Sequence, residues 1–226
     1  MAIEGLPEVP LPYIGTDESG KGDYFGPLVV AAVLVDAEVQ GRLEALGVKD
    51  SKLLSDKRCR ELASQIRAIC AGKYAEVEIP PQRYNELYES FRREGKNLNH
   101  LLAWAHARAI ENLLERHPCS HAVADQFGDE GYIRSRLMEK GRQLKLVQVP
   151  RAERYLAVAA ASILSRERFL SRLEKLSEKY GIGLPKGASH NVAEAARSMV
   201  KRDGPEELKK VAKLHHRTTE KVLGLS

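Results

Sequence analysis

The chain has 226 residues and a mass of 25.2 kDa, with 36 Lys and Arg against 31 Asp and Glu, a net charge of +5 and a pI near 9.0. With 43% hydrophobic and 30% charged residues and a mean hydropathy of -0.38, the composition is that of a soluble globular domain. No apolar run approaches the roughly 20 residues of a spanning helix, which excludes membrane insertion as an expected function class. The opening MAIEGLPEVP has neither a basic start nor an apolar stretch, so no signal or transit peptide is legible. Cys59, Cys70 and Cys119 are odd in number and lack CxxC spacing. They indicate neither a zinc site nor a disulfide framework, and a reducing cytoplasm is expected. The charge is uneven: from Arg166 onward 14 Lys and Arg face 8 Asp and Glu, leaving 22 against 23 before it. The excess positive charge therefore lies in the last 61 residues, either as a solvated face or as a polyanion-binding surface.

In chain order, residues from Ile14 to Glu18 read as a strand ending in a Gly-rich turn around Gly20 and Gly22. The β-branched run LVVAAVLV, from Leu28 to Val35 behind Gly26-Pro27, reads as a buried strand. Ser55 caps a helix with Leu62, Ile66 and Ile69 facing inward, ended by Gly72. Tyr74, Val77 and Ile79 lie on a strand that Pro80-Pro81 stops. A helix from about Asn99 to Arg116 carries Leu102, Ala105, Ala109 and Leu113 on one stripe. HAVAD, from His121 to Asp125, is a strand that delivers a carboxylate at its C-terminal end, and Leu144, Leu146 and Val149 form a strand stopped by Pro150. A long helix from Tyr155 to Tyr180 stops at Gly181, and helices from about Val192 to Lys201 and from Pro205 complete the chain. No internal repeat appears. The order predicts an α/β fold, a mixed sheet covered by helices with a C-terminal helical extension.

Gly15 to Gly22 matches G-x-x-x-x-G-K, yet the phosphate-cradle reading fails on three counts. Gly22 replaces the hydroxyl that would hold Mg²⁺, Asp17 and Glu18 would repel a triphosphate, and a strand follows where a helix N-terminus is required. The spacing of Gly20, Gly22 and Gly26 also misses the dinucleotide pattern by one residue. The acids then need another account. Neighbouring side chains on a strand point to opposite faces, so one of Asp17 and Glu18 must face the core. A buried carboxylate is costly unless paired or on a metal. Asp17 either caps the Gly turn or joins Asp125 and Glu153, which also end or follow strands. Four acids from three strand ends are the oxygen donors that Mg²⁺ or Mn²⁺ prefers.

The ordered blocks GTDESGKGDYFGPLVVAAV, KDSKLLSD, NLNHLLAWAH, ADQFG, RAERYLAVAAASILSRERFL and LPKGAS resemble type 2 ribonuclease H, and more narrowly its ribonuclease HIII branch. Lys21 sits where ribonuclease HII has Arg, and Glu153 where it usually has Asp. The resemblance implies a ribonuclease H-like fold and endonucleolytic cleavage of the RNA strand of RNA/DNA hybrids. It also implies two divalent ions, Mg²⁺ or Mn²⁺, held by Asp17, Glu18, Asp125 and Glu153, and products with 5′-phosphate and 3′-hydroxyl ends. Gly20, Lys21 and Gly22 match the family turn that contacts ribose 2′-hydroxyls, and Lys52 resembles a backbone-phosphate contact, oriented by Asp50.

The expected organisation is an N-terminal extension over 1–12, a catalytic domain over 13–180 and a basic helical region over 181–226 packed on it. Members of the branch usually carry a further N-terminal domain similar to the TATA-binding fold. Here about a dozen residues precede the first strand, so substrate affinity is expected from the catalytic body and the tail, where Lys209, Lys210, Lys213, His215, His216 and Arg217 are dense. A monomer with no obligate protein partner is expected. His215-His216 lack a third ligand at helical spacing and read as surface histidines, while Trp104 and His106 read as packing residues and Asp23 and Asp129 as turn or loop acids. Two other classes compete: a catalytically silent hybrid-binding module, which the complete acid quartet disfavours, and a superfamily nuclease acting on DNA, which the Gly-Lys-Gly turn disfavours.

Overall fold

The computed structural model describes residues 6–48, 54–126, 131–137 and 141–224. Asp50, Lys52 and Asp129 lie outside the described residues. Five strands, β1 (Tyr13–Ser19), β2 (Leu28–Val35), β3 (Tyr74–Ile79), β4 (His121–Asp125) and β5 (Lys145–Val149), form one sheet in the order β3-β2-β1-β4-β5. β4 runs parallel to both β1 and β5. The eight residues 20–27 between β1 and its neighbour β2 are fewer than the dozen a parallel crossover needs, so that pair is antiparallel and the sheet is mixed, as expected. Every residue of β2 is buried, which is why it reads as an unbroken apolar run rather than an alternation.

The helices that were legible are those with caps and a strong period. Ser55 Oγ accepts the Arg58 N–H at 3.2 Å and starts α2 (Asp56–Ile69), which buries Cys59, Leu62, Ala63 and Ile66. Two helices escaped the sequence reading. The first, α1 (Ala37–Leu46), is capped by Asp36 but buries only Val39 and Leu43, too few to show a period. The second, α3 (Pro81–Arg93), begins at the proline pair expected only to end β3. Proline at the first helical position lacks an N–H that has no partner there in any case, so the same residues stop a strand and start a helix. Next come α4 (Leu98–Leu114), the single turn α5 (Gly131–Arg134) and the 25-residue α6 (Leu156–Tyr180). The chain ends in α7 (His190–Asp203), α8 (Leu208–Val211) and α9 (Arg217–Leu223). Among the described residues no helix is long and apolar enough to cross a membrane.

Contacts group the chain into two compact units. One ends its first segment at Glu18 and adds Val30–Val77 and Lys96–Glu167. The other comprises Ser19–Val29, Glu78–Gly95 and the chain from Arg168. The core of the first gathers Val33, Val35, Leu62, Ile66, Val123 and Ile163; that of the second gathers Tyr24, Phe25, Phe169, Leu173, Met199 and Val211. Cys59 and Cys70 are free and buried, and burial pushes both thiols up to about 11, so they act as small apolar residues.

Within the first unit, β1 meets α6 at backbone distance. A Cβ added at Gly15 would stand 2.3 Å from the Val158 nitrogen and 2.4 Å from the Ala157 carbonyl carbon, both backbone atoms that cannot rotate away. The helix face there is made of Ala157, Val158 and Ala161, all buried. Gly15→Ala is expected to destabilise the protein by about 3 kcal/mol or more, at the upper end of overpacking costs, and urea unfolding of the two proteins measures it.

Candidate active site

The alternation of β1 assigns its polar residues to faces. Thr16 and Glu18 share one face, and Gly15 and Asp17 the other, so Asp17 is on the side that Gly15 turns to α6. Glu18 is the acid that faces inward, 13% exposed as a side chain, and it is paired. Thr16 Oγ1 donates to the Ala31 carbonyl at 2.8 Å and lies 3.0 Å from His106 Nδ1; His106 Nε2 lies 3.1 Å from Glu18 Oε2. A threonine has one hydroxyl hydrogen, and here it goes to a carbonyl. The ring of His106 thus stands between the two side chains, with Nδ1 at the Thr16 hydroxyl and Nε2 at the Glu18 carboxylate. His106, 1% exposed on α4, is packed inside as expected from its apolar neighbours, and it is in addition a polar link. The signal available was its spacing in NLNHLLAWAH, which a single sequence does not separate from core.

The other acids are arranged by strand register. β1 and β4 pair Ile14 with Ala122, Gly15 with Val123 and Thr16 with Ala124, so one further step sets Asp17 level with Asp125. Asp125 pairs with Val149 of β5. After β5 the chain turns at Arg151, the one non-glycine residue at positive φ among those described (59°), into a single 3₁₀ turn over Ala152–Arg154 that carries Glu153. That left-handed backbone is sparsely populated for non-glycine residues and persists where the surroundings hold it. The contact that holds it is the Ala152 N–H, which donates to Asp125 Oδ1 at 3.3 Å. Glu153 itself borders a hollow of about 490 Å³ with Tyr13, Gln40, Glu44 and Tyr155, which none of the other three acids lines. All four acids belong to the first unit. Among the described residues, however, no three His, Cys, Asp or Glu side chains already converge as a metal-binding group. As a donor set the four carboxylates fit a hard divalent cation. The β1–β4 register carries Asp17 toward the level of Asp125, the Ala152 N–H ties Asp125 to the Glu153 turn, and Glu18 is drawn to His106.

The Gly-Lys-Gly turn belongs to the second unit. Gly20 has φ 89°, and a Cβ there would stand 2.2 Å from the Pro27 carbonyl, so only glycine fits. A Cβ at Gly22 would meet nothing within 4 Å, which leaves that side of the turn open to approach. The limb behind the turn is held twice. Asp23 Oδ1 accepts the Gly187 N–H at 2.6 Å while the Tyr24 N–H donates to the Gly187 carbonyl at 2.9 Å, the loop role expected for Asp23. On the other side the Gly26 N–H donates to the Val211 carbonyl and the Lys213 N–H to the Tyr24 carbonyl.

Lys213 corrects the reading of the tail as a set of nucleic-acid contacts. It is fully buried, its ammonium donating to the Gly26 carbonyl at 2.6 Å and the Phe25 carbonyl at 3.3 Å, 5.9 Å from the Tyr84 ring centre. Burial pushes its pKa down from 10.5 to about 7. Lys209 and Lys210 are exposed but paired with Glu206 and Glu207. His215 and His216 are not surface histidines either: His215 packs on Tyr84 and Tyr88, His216 on Tyr24, and burial lowers both, His215 to about 4. Hydrophobic neighbours contributed by α3 and by the 20–27 turn decide this, and a charge count along the tail does not contain them.

Because the Lys213 pKa is lower folded than unfolded, unfolding takes up a proton between pH 7 and 10.5, and folding stability rises with pH across that window by up to about 1.4 kcal/mol per pH unit. Lys213→Met is expected to show a shallower rise, measured by urea unfolding at pH 7, 8.5 and 10. His106→Ala removes the ring contacts to Thr16 and Glu18 and is expected to cost about 1–3 kcal/mol in the same assay.

A family model described as Ribonuclease HII matches residues 14–219. A Ribonuclease HIII of Protochlamydia amoebophila is 48% identical over 94% of this chain and 69% of its own length. The Ribonuclease HIII of Chlamydia pneumoniae is 44% identical over 93% of this chain and 70% of its own. The crystal structure of Bst ribonuclease HIII in complex with Mn²⁺ superposes with a TM-score of 0.84 at 36% identity, covering 95% of this chain and 70% of that one.

Proposed function

The chain belongs to the ribonuclease HII family and to its ribonuclease HIII branch, and is therefore a ribonuclease H; on that premise we propose that Asp17, Glu18, Asp125 and Glu153 are its catalytic carboxylates and hold two divalent cations, Mg²⁺ or Mn²⁺. The observation that carries the assignment is the register of β1, β4 and β5, which aligns the carboxyl ends of three parallel strands where α/β sheets place their ligands. Bound there, such cations would supply an activated water for in-line attack and would neutralise charge at the leaving 3′ oxygen, giving 5′-phosphate and 3′-hydroxyl ends. The Mn²⁺ of the Bst structure supports this class of ion.

The chain's own residues supply placement. The Ala152 N–H orients Asp125, the Arg151 turn presents Glu153, and the Thr16–His106 link holds Glu18. We assign the ribose 2′-hydroxyl contact, and with it the choice of the RNA strand, to the Gly20-Lys21-Gly22 turn, supported by the open side at Gly22. Lys52 is assigned a phosphate contact from the family motif. All four acids come from one copy of the chain, so a monomer suffices, and removal of RNA from hybrids is work for DNA replication and repair.

Asp125→Asn keeps the size of the side chain and removes its charge. It is expected to lower kcat on an end-labelled RNA/DNA hybrid at least about 1,000-fold, equal to about 4 kcal/mol of barrier, with an unchanged unfolding curve. Wild-type turnover in that variant with Mg²⁺ or Mn²⁺ would refute the assignment, and cutting of a plain DNA duplex by the wild type would refute the substrate.

A further inference from the structure

The second half of α6 carries Arg168, Arg172, Lys175 and Lys179, spaced by four, three and four residues. At about 100° per residue these four fall within about 60° of one another on the helix, while Glu178 lies about 60° and Glu174 about 100° beyond Lys175. One carboxylate pairs the first two members: Glu78 Oε2 takes Arg168 Nε at 2.8 Å and Arg172 Nε at 2.7 Å. Lys175 and Lys179 are exposed and have no acidic partner among the described residues; the Lys179 ammonium is 5.4 Å from the Tyr180 ring centre. Arg172, Lys175 and Lys179 line a hollow of about 230 Å³ whose apolar wall is Pro27, Pro80, Pro81 and Leu176 and whose rim adds Lys210 and the Glu78 carboxylate that the arginines neutralise. This is smaller than the roughly 300–1,000 Å³ clefts that enclose a whole small ligand. It suits a phosphate and the sugar edge beside it. Pro27 ties the hollow to the Gly-Lys-Gly turn, since its carbonyl is the atom against which Gly20 packs.

We infer that this α6 row, together with the Pro27 hollow, is a track for the sugar-phosphate backbone of the hybrid, beyond the ribose contacts of the turn. The inference rests on the proposed function and adds where the rest of the duplex is held. Its length agrees: eleven residues of helix rise about 16.5 Å, the axial length of about five nucleotides of one strand. It also relocates the basicity of the C-terminal region, because Lys209 and Lys210 are neutralised by their own helical neighbours and Lys213 is internal.

The test is Lys175→Glu combined with Lys179→Glu in the full chain, assayed on a 24-base-pair RNA/DNA hybrid across a salt series. The expected result is a KM at least tenfold higher with kcat within twofold of wild type, and a salt dependence of log KM shallower by about two, the slope that two lost phosphate contacts remove. Lys201→Glu with Lys221→Glu makes the same charge change off the row, and is expected to leave the salt slope as in wild type. Both row lysines are exposed, and Lys175→Gln with Lys179→Gln, expected to show the same slope at a smaller KM change, covers any loss of folding in the charge reversal. Wild-type KM and slope in both row variants, or an equal effect from the off-row pair, would overturn the inference while leaving the cleavage reading intact. Failure of the wild type to cut the hybrid would instead remove the cleavage reading and this inference with it.

Discussion

The parallel pairing of β4 with β1 on one side and β5 on the other is the constraint from which the candidate site follows. Side chains on paired strands share a level only if the register is kept, and a slip of one residue would send Asp17 and Asp125 to opposite faces. The register is protected by packing: Gly15, paired with Val123, has its α-carbon so close to α6 that no side chain fits between. The glycine that appeared to open a phosphate loop is therefore the point where strand and helix touch. The same helix begins two residues after Arg154, so the contact that seats β1 also anchors the turn bearing Glu153.

A buried polar link stabilises the opposite face of the sheet. The sequence Ala31 carbonyl, Thr16 hydroxyl, His106 ring and Glu18 carboxylate crosses from β2 through β1 to α4 and back. The link places His106 Nε2 at Glu18 in a buried setting where polar groups need partners, which favours one orientation of Glu18. Asp125 is fixed more economically, by a single backbone N–H.

Charge in the second unit is sorted by environment rather than by position along the chain. The ammonium of Lys213 is enclosed by carbonyls of the turn and acts as an internal strut, Lys209 and Lys210 close on glutamates one helical turn away, and Lys175 and Lys179 stand exposed on α6. The net excess of positive charge is the same in every account. What differs is which cations face water with room for a phosphate.

The amino-acid sequence by itself determined the strands and the strongest helices, because caps, β-branched runs and helical stripes are local signals: Ser55, LVVAAVLV and HAVAD say what they form without their neighbours. It also named the four acids and the glycine turn, through motif blocks that match a family in order. It did not show α1, whose two buried residues make no period, or α3, whose opening prolines read equally as a stop. Tertiary structure alone decided the role of His106, the inward turn of Glu18 and the burial of Lys213. The physical reason is common to all three: each depends on partners 88 to 188 residues away, and hydrogen-bond satisfaction and desolvation are properties of the folded surroundings rather than of the residue.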